Sequence, residues 1–294
     1  MSSAIKKVVI PVAGLGTRGL PFTKEVPKEL LPILDVPTIQ FIVEEVVAAG
    51  IEQVIFVTSK GKSVLEDYFD PSPNLESWLR KRGKEEAAER IRKIGQLCEV
   101  ISVRQKEPLG LGHAVYCARH IVGNEMFAVC LGDEIFPPWD ETAERPVLRN
   151  LLETAQSLKA SVVGVVQIPK SESPSYGVID IGNESLAMSP VRIRRTVEKP
   201  KPENAPSPYA IIGRYIFEPA IFQALQEGKA GVGGEIQLTD AMDKLCGAGK
   251  LYAQLVQGRR YDIGNHFYYL KAQIDSALRR PELSQKLRQY LQSL

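Results

Sequence analysis

Lys7-Val8-Val9-Ile10-Pro11-Val12, running straight into Ala13-Gly14-Leu15-Gly16-Thr17-Arg18, is the stretch on which the fold turns. Its first six residues are almost continuously apolar, the pattern of a strand buried on both faces. Ile39, Ile42, Val43, Val46 and Val47 then recur at helical spacing until Gly50 stops them. Val54-Ile55-Phe56-Val57 is the next apolar run. Strand, helix and strand in that order form a βαβ unit, which predicts a parallel sheet in an α/β fold.

The alternation continues outward. Strands are expected at Glu99 to Arg104, Met126 to Leu131 and Ser161 to Gln167, with helices at His113 to Ile121 and Leu148 to Lys159. Between Asn74 and Gly95 charge rises and apolar content falls, as in a solvated helical insertion or a subunit contact. The second half is richer in strands: Gly177 to Ile181, Val191 to Val197 and Tyr209 to Phe217, with a Pro-rich connector from Pro200 to Pro208. Leu238, Ala241, Met242 and Leu245 mark an amphipathic helix, and residues 265–294 read as two helices divided near Pro281.

Composition narrows the function. Net charge is +2 over 294 residues and the basic residues are spread out, so a nucleic-acid surface is not expected. No apolar run reaches the length of a membrane span, and the short one after Lys6 and Lys7 does not read as a signal peptide. Cys98, Cys117, Cys130 and Cys246 lack zinc or redox spacing and read as reduced, buried thiols of a cytoplasmic protein.

The Gly-rich loop is the first candidate site. Ala13, Gly14 and Gly16 let backbone N–H groups approach an anion, at the strand end where α/β sheets bind ligands. Thr17 adds a hydroxyl and Arg18 a planar fork suited to phosphate. The loop lacks the Gly-Lys-Ser/Thr of a Walker loop and the third glycine of a dinucleotide fingerprint, and alone it also reads as a tight turn. Lys28 follows in a Pro-stiffened segment, Pro21 to Pro32, that would present it. Asp133 stands past the carboxyl end of an apolar strand, as a hard oxygen ligand for Mg²⁺ or as a turn aspartate. The Gln105 amide offers both a donor and an acceptor, and Gly110 and Gly112 would allow a close approach of the backbone or simply open a helix. Arg192, Arg194 and Arg195 read as a solvated strand face.

In combination these segments resemble the bacterial UTP–glucose-1-phosphate uridylyltransferases (UDP-glucose pyrophosphorylases). The matching stretches are Gly14 to Arg18, Leu20-Pro21, Thr23-Lys24, Pro27-Lys28-Glu29 and Leu31-Pro32, then Arg104-Gln105 and Gly110 to Val115. Tyr176-Gly177-Val178, Val197-Glu198-Lys199-Pro200, Gly213-Arg214-Tyr215, Gly234 to Asp240 and Asp262-Ile263-Gly264-Asn265 complete the series in the family's order. Gly19, Gly132 and His266-Phe267-Tyr268 depart from the family pattern.

The resemblance implies a Rossmann-like, mixed and mostly parallel sheet flanked by helices, with a β-rich sugar-binding part and C-terminal helices. Residues 1–270 would be the catalytic domain, 1–160 mainly for the nucleotide and 161–264 mainly for the sugar; residues 271–294 would be a candidate oligomer contact in a homodimer or homotetramer. It implies Arg18, Lys28 and Lys199 as catalytic, Ala13, Gly14, Gly16, Thr17, Gln105, Gly110 and Gly112 on the nucleotide, Gly177, Glu198 and Lys199 on the sugar phosphate, and Asp133 and Asp262 on Mg²⁺. The activity implied is transfer of a uridylyl group from UTP to glucose 1-phosphate. Three alternatives stay open: dTTP or another nucleotide–sugar pair, a catalytically weak regulatory paralogue, and, less favoured, a dinucleotide-dependent oxidoreductase.

Overall fold

The computed structural model describes residues 5–138, 146–188, 190–228 and 234–294. Its centre is a ten-stranded sheet. Lys7–Pro11 lies in the middle, parallel to Gln53–Thr58 on one side and to Phe127–Cys130 on the other, and Glu99–Arg104 extends the parallel set. Val8, Val9 and Ile10 are fully buried, which accounts for the apolar run; each such side chain contributes about 1.5–3 kcal/mol. The helix Thr38–Ala48 presses Ile39, Ile42, Val43 and Val46 onto one face of this sheet. On the other face Ala114, Val115 and Ala118 pack with Val9 and Ile55.

The chain therefore leaves the first strand in one direction, toward Glu99–Arg104, and later returns to pair Phe127–Cys130 on its other side. Such a reversal opens a crevice at the carboxyl ends of the two adjoining parallel strands. The Gly-rich loop leaves one of those ends and Asp133 the other.

Tyr209–Phe217 then runs antiparallel to Phe127–Cys130 and to Ser161–Gln167, so the sheet is mixed. Gly177–Asp180 and Arg195–Glu198 pair antiparallel and branch from it through Ala210 and Val178. Several elements escape the sequence reading, among them the short helix Val64–Asp67 and the two-residue strands Pro32–Ile33, Val36–Pro37, Glu134–Ile135 and Tyr261–Asp262. Leu251–Leu255 is a strand parallel to Ser161–Gln167, with only Leu251 and Ala253 buried, and Ala220–Gln226 is a two-turn helix.

Two expected elements are divided. The helix expected over His113 to Ile121 is instead Leu111–Cys117 and Arg119–Val122, separated at Ala118. The strand expected over Val191 to Val197 is Val191–Arg192, on Leu251–Leu255, and Arg195–Glu198, on Gly177–Asp180. Its arginines at 192, 194 and 195 are exposed, as a solvated face requires. The charged insertion forms the helices Pro73–Arg80 and Glu85–Ile94, anchored by buried Leu79 and Ala88. Pro281 opens the last helix, Pro281–Gln292, after His266–Ala277 ends. No helix of the described residues is long and apolar enough to cross a membrane.

Candidate active site

The loop after the first strand folds on itself. Gly16 takes a left-handed backbone (φ 66°), and its carbonyl accepts from Gly19 N–H at 2.9 Å and from the Thr23 hydroxyl at 2.7 Å. Gly19 is explained by this knot: a Cβ there would lie 2.6 Å from Thr23 Cγ2. Lys62 pins the loop's start, its ammonium donating to the carbonyls of Val12 and Gly14 and pairing with buried Glu29 at 3.2 Å. Among the described residues Glu29 Oε1 has no hydrogen-bond partner, and burial raises its carboxyl pKa despite Lys62 and Lys28. Gly132 is small for the same reason, since a Cβ would sit 3.0 Å from Glu29 Cγ.

Lys28 is not an exposed loop lysine: its ammonium donates to Asp133 Oδ2 at 2.6 Å. Arg18 lies 3.7 Å from that oxygen and 3.9 Å from Asp262 Oδ2. Asp133 and Asp262 come together because Ile263 N–H donates to Asp133 O at 2.8 Å and Tyr261–Asp262 pairs antiparallel with Glu134–Ile135. Gly264 leaves the space in which the Arg18 guanidinium rests.

The electrostatics match this geometry. Burial would raise the Asp133 carboxyl, but Lys28 and Arg18 overcome it and hold the group below the usual carboxylate range. Burial and the neighbouring Asp133 push Asp262 up, against Arg18 and Arg260. Lys28 is raised by Asp133 and Glu29, although burial opposes it. Two carboxylates of which one disfavours ionisation of the other are a donor set suited to a hard divalent cation. Among the described residues no three His, Cys, Asp or Glu side chains converge, so further ligands would be substrate oxygens or water. The residues fit Mg²⁺ held by two carboxylates and phosphate oxygens.

A cavity of about 440 Å³ joins all of the sequence-predicted nucleotide residues except Gly112, which is buried and does not line it. Ala13, Gly14, Gly16, Thr17, Lys28, Gln105, Gly110 and Asp133 all line it. Gly110 (φ 93°) is the N-cap of the helix Leu111–Cys117, so the helix-entry reading holds. Close approach there is to the protein itself: a Cβ on Gly110 would meet Glu235 Cβ at 2.8 Å, and one on Gly112 would meet Ile236 O at 2.7 Å.

The sugar-side residues form a second group. Glu198 Oε2 accepts from the Thr239 hydroxyl at 2.6 Å, and Gly177 is its cross-strand partner. Lys199 adopts a left-handed backbone (φ 44°), uncommon for a residue with a Cβ, and its exposed ammonium lies 3.3 Å from Glu198 Oε1. Among the described residues no hydrogen bond or ion pair joins Lys199 to Lys28 or Asp133. Arg260, which sequence reasoning missed, joins the groups: it lies 3.3 Å from Glu134 Oε2 and donates to Tyr176 Oη at 2.9 Å. Tyr176 O accepts from Lys199 N–H at 3.0 Å. Beneath both groups, the buried Tyr215 hydroxyl is raised by burial and then by Glu134, Glu198 and Asp133.

Residues 7–277 match the nucleotidyl transferase family model. The chain is 46% identical over 291 residues to the UTP–glucose-1-phosphate uridylyltransferase of Bacillus subtilis (strain 168), covering 99% of this chain and 97% of that one. Its fold is similar to that of a UTP-bound UDP-glucose pyrophosphorylase from Acinetobacter baumannii, with TM-score 0.87, 37% identity and 99% of each chain covered. It is also similar to a UDP-glucose pyrophosphorylase complexed with UDP-glucose, with TM-score 0.83, 41% identity, and 94% of this chain and 100% of that one covered. With this coverage, and with the loop, Lys28 and the paired aspartates brought together, the chain belongs to the nucleotidyl transferase family.

Proposed function

We propose that this protein transfers a uridylyl group from UTP to glucose 1-phosphate, giving UDP-glucose and pyrophosphate. The observation that carries the reading is the convergence of Arg18, Lys28, Asp133 and Asp262 beside a cavity that also holds Gln105. Relatives of this activity, alike over almost the whole chain, support it.

The sugar-phosphate oxygen would attack the α-phosphorus while the bond to the pyrophosphate oxygen breaks. A phosphate monoester is already anionic at neutral pH, so no general base is needed. The protein's work is alignment of two polyanions and stabilisation of charge. Ala13, Gly14, Gly16 and Thr17 would bind the triphosphate through the loop, and Arg18 and Lys28 would offset its charge. Lys199 would hold the sugar phosphate, and Glu198, fixed by Thr239, would accept from sugar hydroxyls beside Gly177. Asp133 and Asp262 would hold Mg²⁺, which when bound neutralises phosphate oxygens and orients them. Lys28, its present partner, holds the Asp133 carboxyl below the usual carboxylate range against the effect of burial.

The protein would act in the cytoplasm as a homodimer or homotetramer, with neither nucleic acid nor membrane as partner. A pyrophosphate-release assay with Mg²⁺, crossing UTP, dTTP, ATP, CTP and GTP against several sugar 1-phosphates, tests the reading. UTP with glucose 1-phosphate should be preferred. A clear preference for another pair would overturn the substrates and keep the class, and no release from any pair would favour a regulatory paralogue.

A further inference from the structure

We infer that His113 is a positioning residue that fixes which end of the Gln105 amide meets the nucleotide base, and so sets a preference for uracil over cytosine. The inference rests on the uridylyl-transfer reading. Gln105 is buried, and its backbone N–H donates to Thr58 O at 2.8 Å. Its Nε2 lies 3.1 Å from Gly110 O and 3.0 Å from His113 Nδ1. A carbonyl oxygen can only accept, so the amide end facing Gly110 is the nitrogen. That nitrogen has one hydrogen left, which goes to Nδ1, so the imidazole carries its own proton on Nε2.

Both donors of the amide are thus used within the protein. Among the described residues no group donates to Gln105 Oε1, and it is not a buried atom left without a partner. The acceptor is therefore what Gln105 offers to the cavity that it lines. Uracil presents an N3–H donor, whereas cytosine has a lone pair at N3. An acceptor complements the first and opposes the second. The Gly110 carbonyl alone would hold one amide hydrogen and leave the group free to pivot. His113, fixed in the first turn of Leu111–Cys117, supplies the second restraint.

The test compares kcat/KM for UTP and CTP with glucose 1-phosphate in wild type, His113→Phe and His113→Asn. Phenylalanine keeps the ring outline without an acceptor, and asparagine places a carbonyl oxygen near the Nδ1 position. The UTP-to-CTP ratio is internal to one preparation, so partial unfolding does not move it. His113→Phe should lower the ratio roughly five- to tenfold, the scale of one hydrogen bond, and His113→Asn should restore most of it. A His113→Phe ratio equal to that of wild type, with or without a uniform loss of rate, overturns the inference alone. A wild type that does not prefer UTP overturns the functional reading and this inference with it.

Discussion

Arg260 donates to the Tyr176 hydroxyl at 2.9 Å while its other terminal nitrogen lies 3.3 Å from Glu134. Through Glu134 it touches the arm that carries Asp133, and through Tyr176 it touches the backbone that supports Lys199. The guanidinium also faces the Tyr176 ring, 5.0 Å from its centroid. Arg260→Met should leave buried Glu134 unpaired and release Tyr176. The expected loss in kcat/KM is on the order of tenfold or more, with a rise in KM for the sugar phosphate. Arg260→Lys, which keeps the charge but loses the fork, should fall between the two in the same kinetics.

Lys199 differs in kind, because it is exposed and its removal strands no buried charge. Lys199→Ala should leave the melting temperature near that of wild type while lowering activity on the order of 10²-fold. Asp133→Ala should lose activity on the same scale. Near-full activity in both variants, with correct folding, would show that neither residue has its assigned role.

Gly19 offers a steric test. Gly19→Ala would drive a Cβ into Thr23 Cγ2, and the cost of such overpacking is about 1–3 kcal/mol. The loop would shift, and KM for UTP should rise. Thr23→Ser removes that methyl and keeps the hydroxyl that reaches Gly16 O, so the double variant should recover most of the affinity. Recovery is read as a coupling in a double-mutant cycle; additive effects would disprove the steric account.

Arg214 and Glu45 form a buried pair, at 2.7 Å, between the long strand and the helix Thr38–Ala48. Arg214 also donates to Glu134 O at 2.9 Å, and Glu45 accepts from Leu148 N–H at 3.2 Å. Arg214→Met should destabilise the fold by about 3–5 kcal/mol in denaturant unfolding, because Glu45 would be left charged and unpaired. The double variant with Glu45→Leu should be less destabilised than Arg214→Met alone.

The fold was legible where burial is two-sided. Val8 to Ile10, Val54 to Val57 and Val129-Cys130 have no exposed face, so their apolar runs announce strands. Leu251–Leu255 was missed because its alternation is short and diluted by Tyr252 and Gln254. The split at Ile193-Arg194 was hidden because both flanking strands carry the same outward arginines, while only pairing partners distant in sequence distinguish them.

In the site, the strand-end positions of Gly14 and Asp133 were readable from the residues, and Lys199 and Asp262 only from family resemblance. Lys62 and Arg260 carried no local signal: each acts through contacts with segments far away in the chain, Val12 and Glu29 for one, Glu134 and Tyr176 for the other. Gly110 and Gly112 were read as allowing close approach to the nucleotide, or as opening a helix; within the protein, what meets their Cβ positions is the segment at Glu235 and Ile236.

The most direct measurement is exchange of labelled pyrophosphate into UTP, with Mg²⁺, in the presence and absence of glucose 1-phosphate. Direct attack of the sugar phosphate on the α-phosphorus, in a site that aligns both substrates, predicts exchange only when glucose 1-phosphate is present. Exchange without the sugar phosphate would reveal a covalent uridylyl-enzyme, and no exchange with both substrates would contradict uridylyl transfer itself.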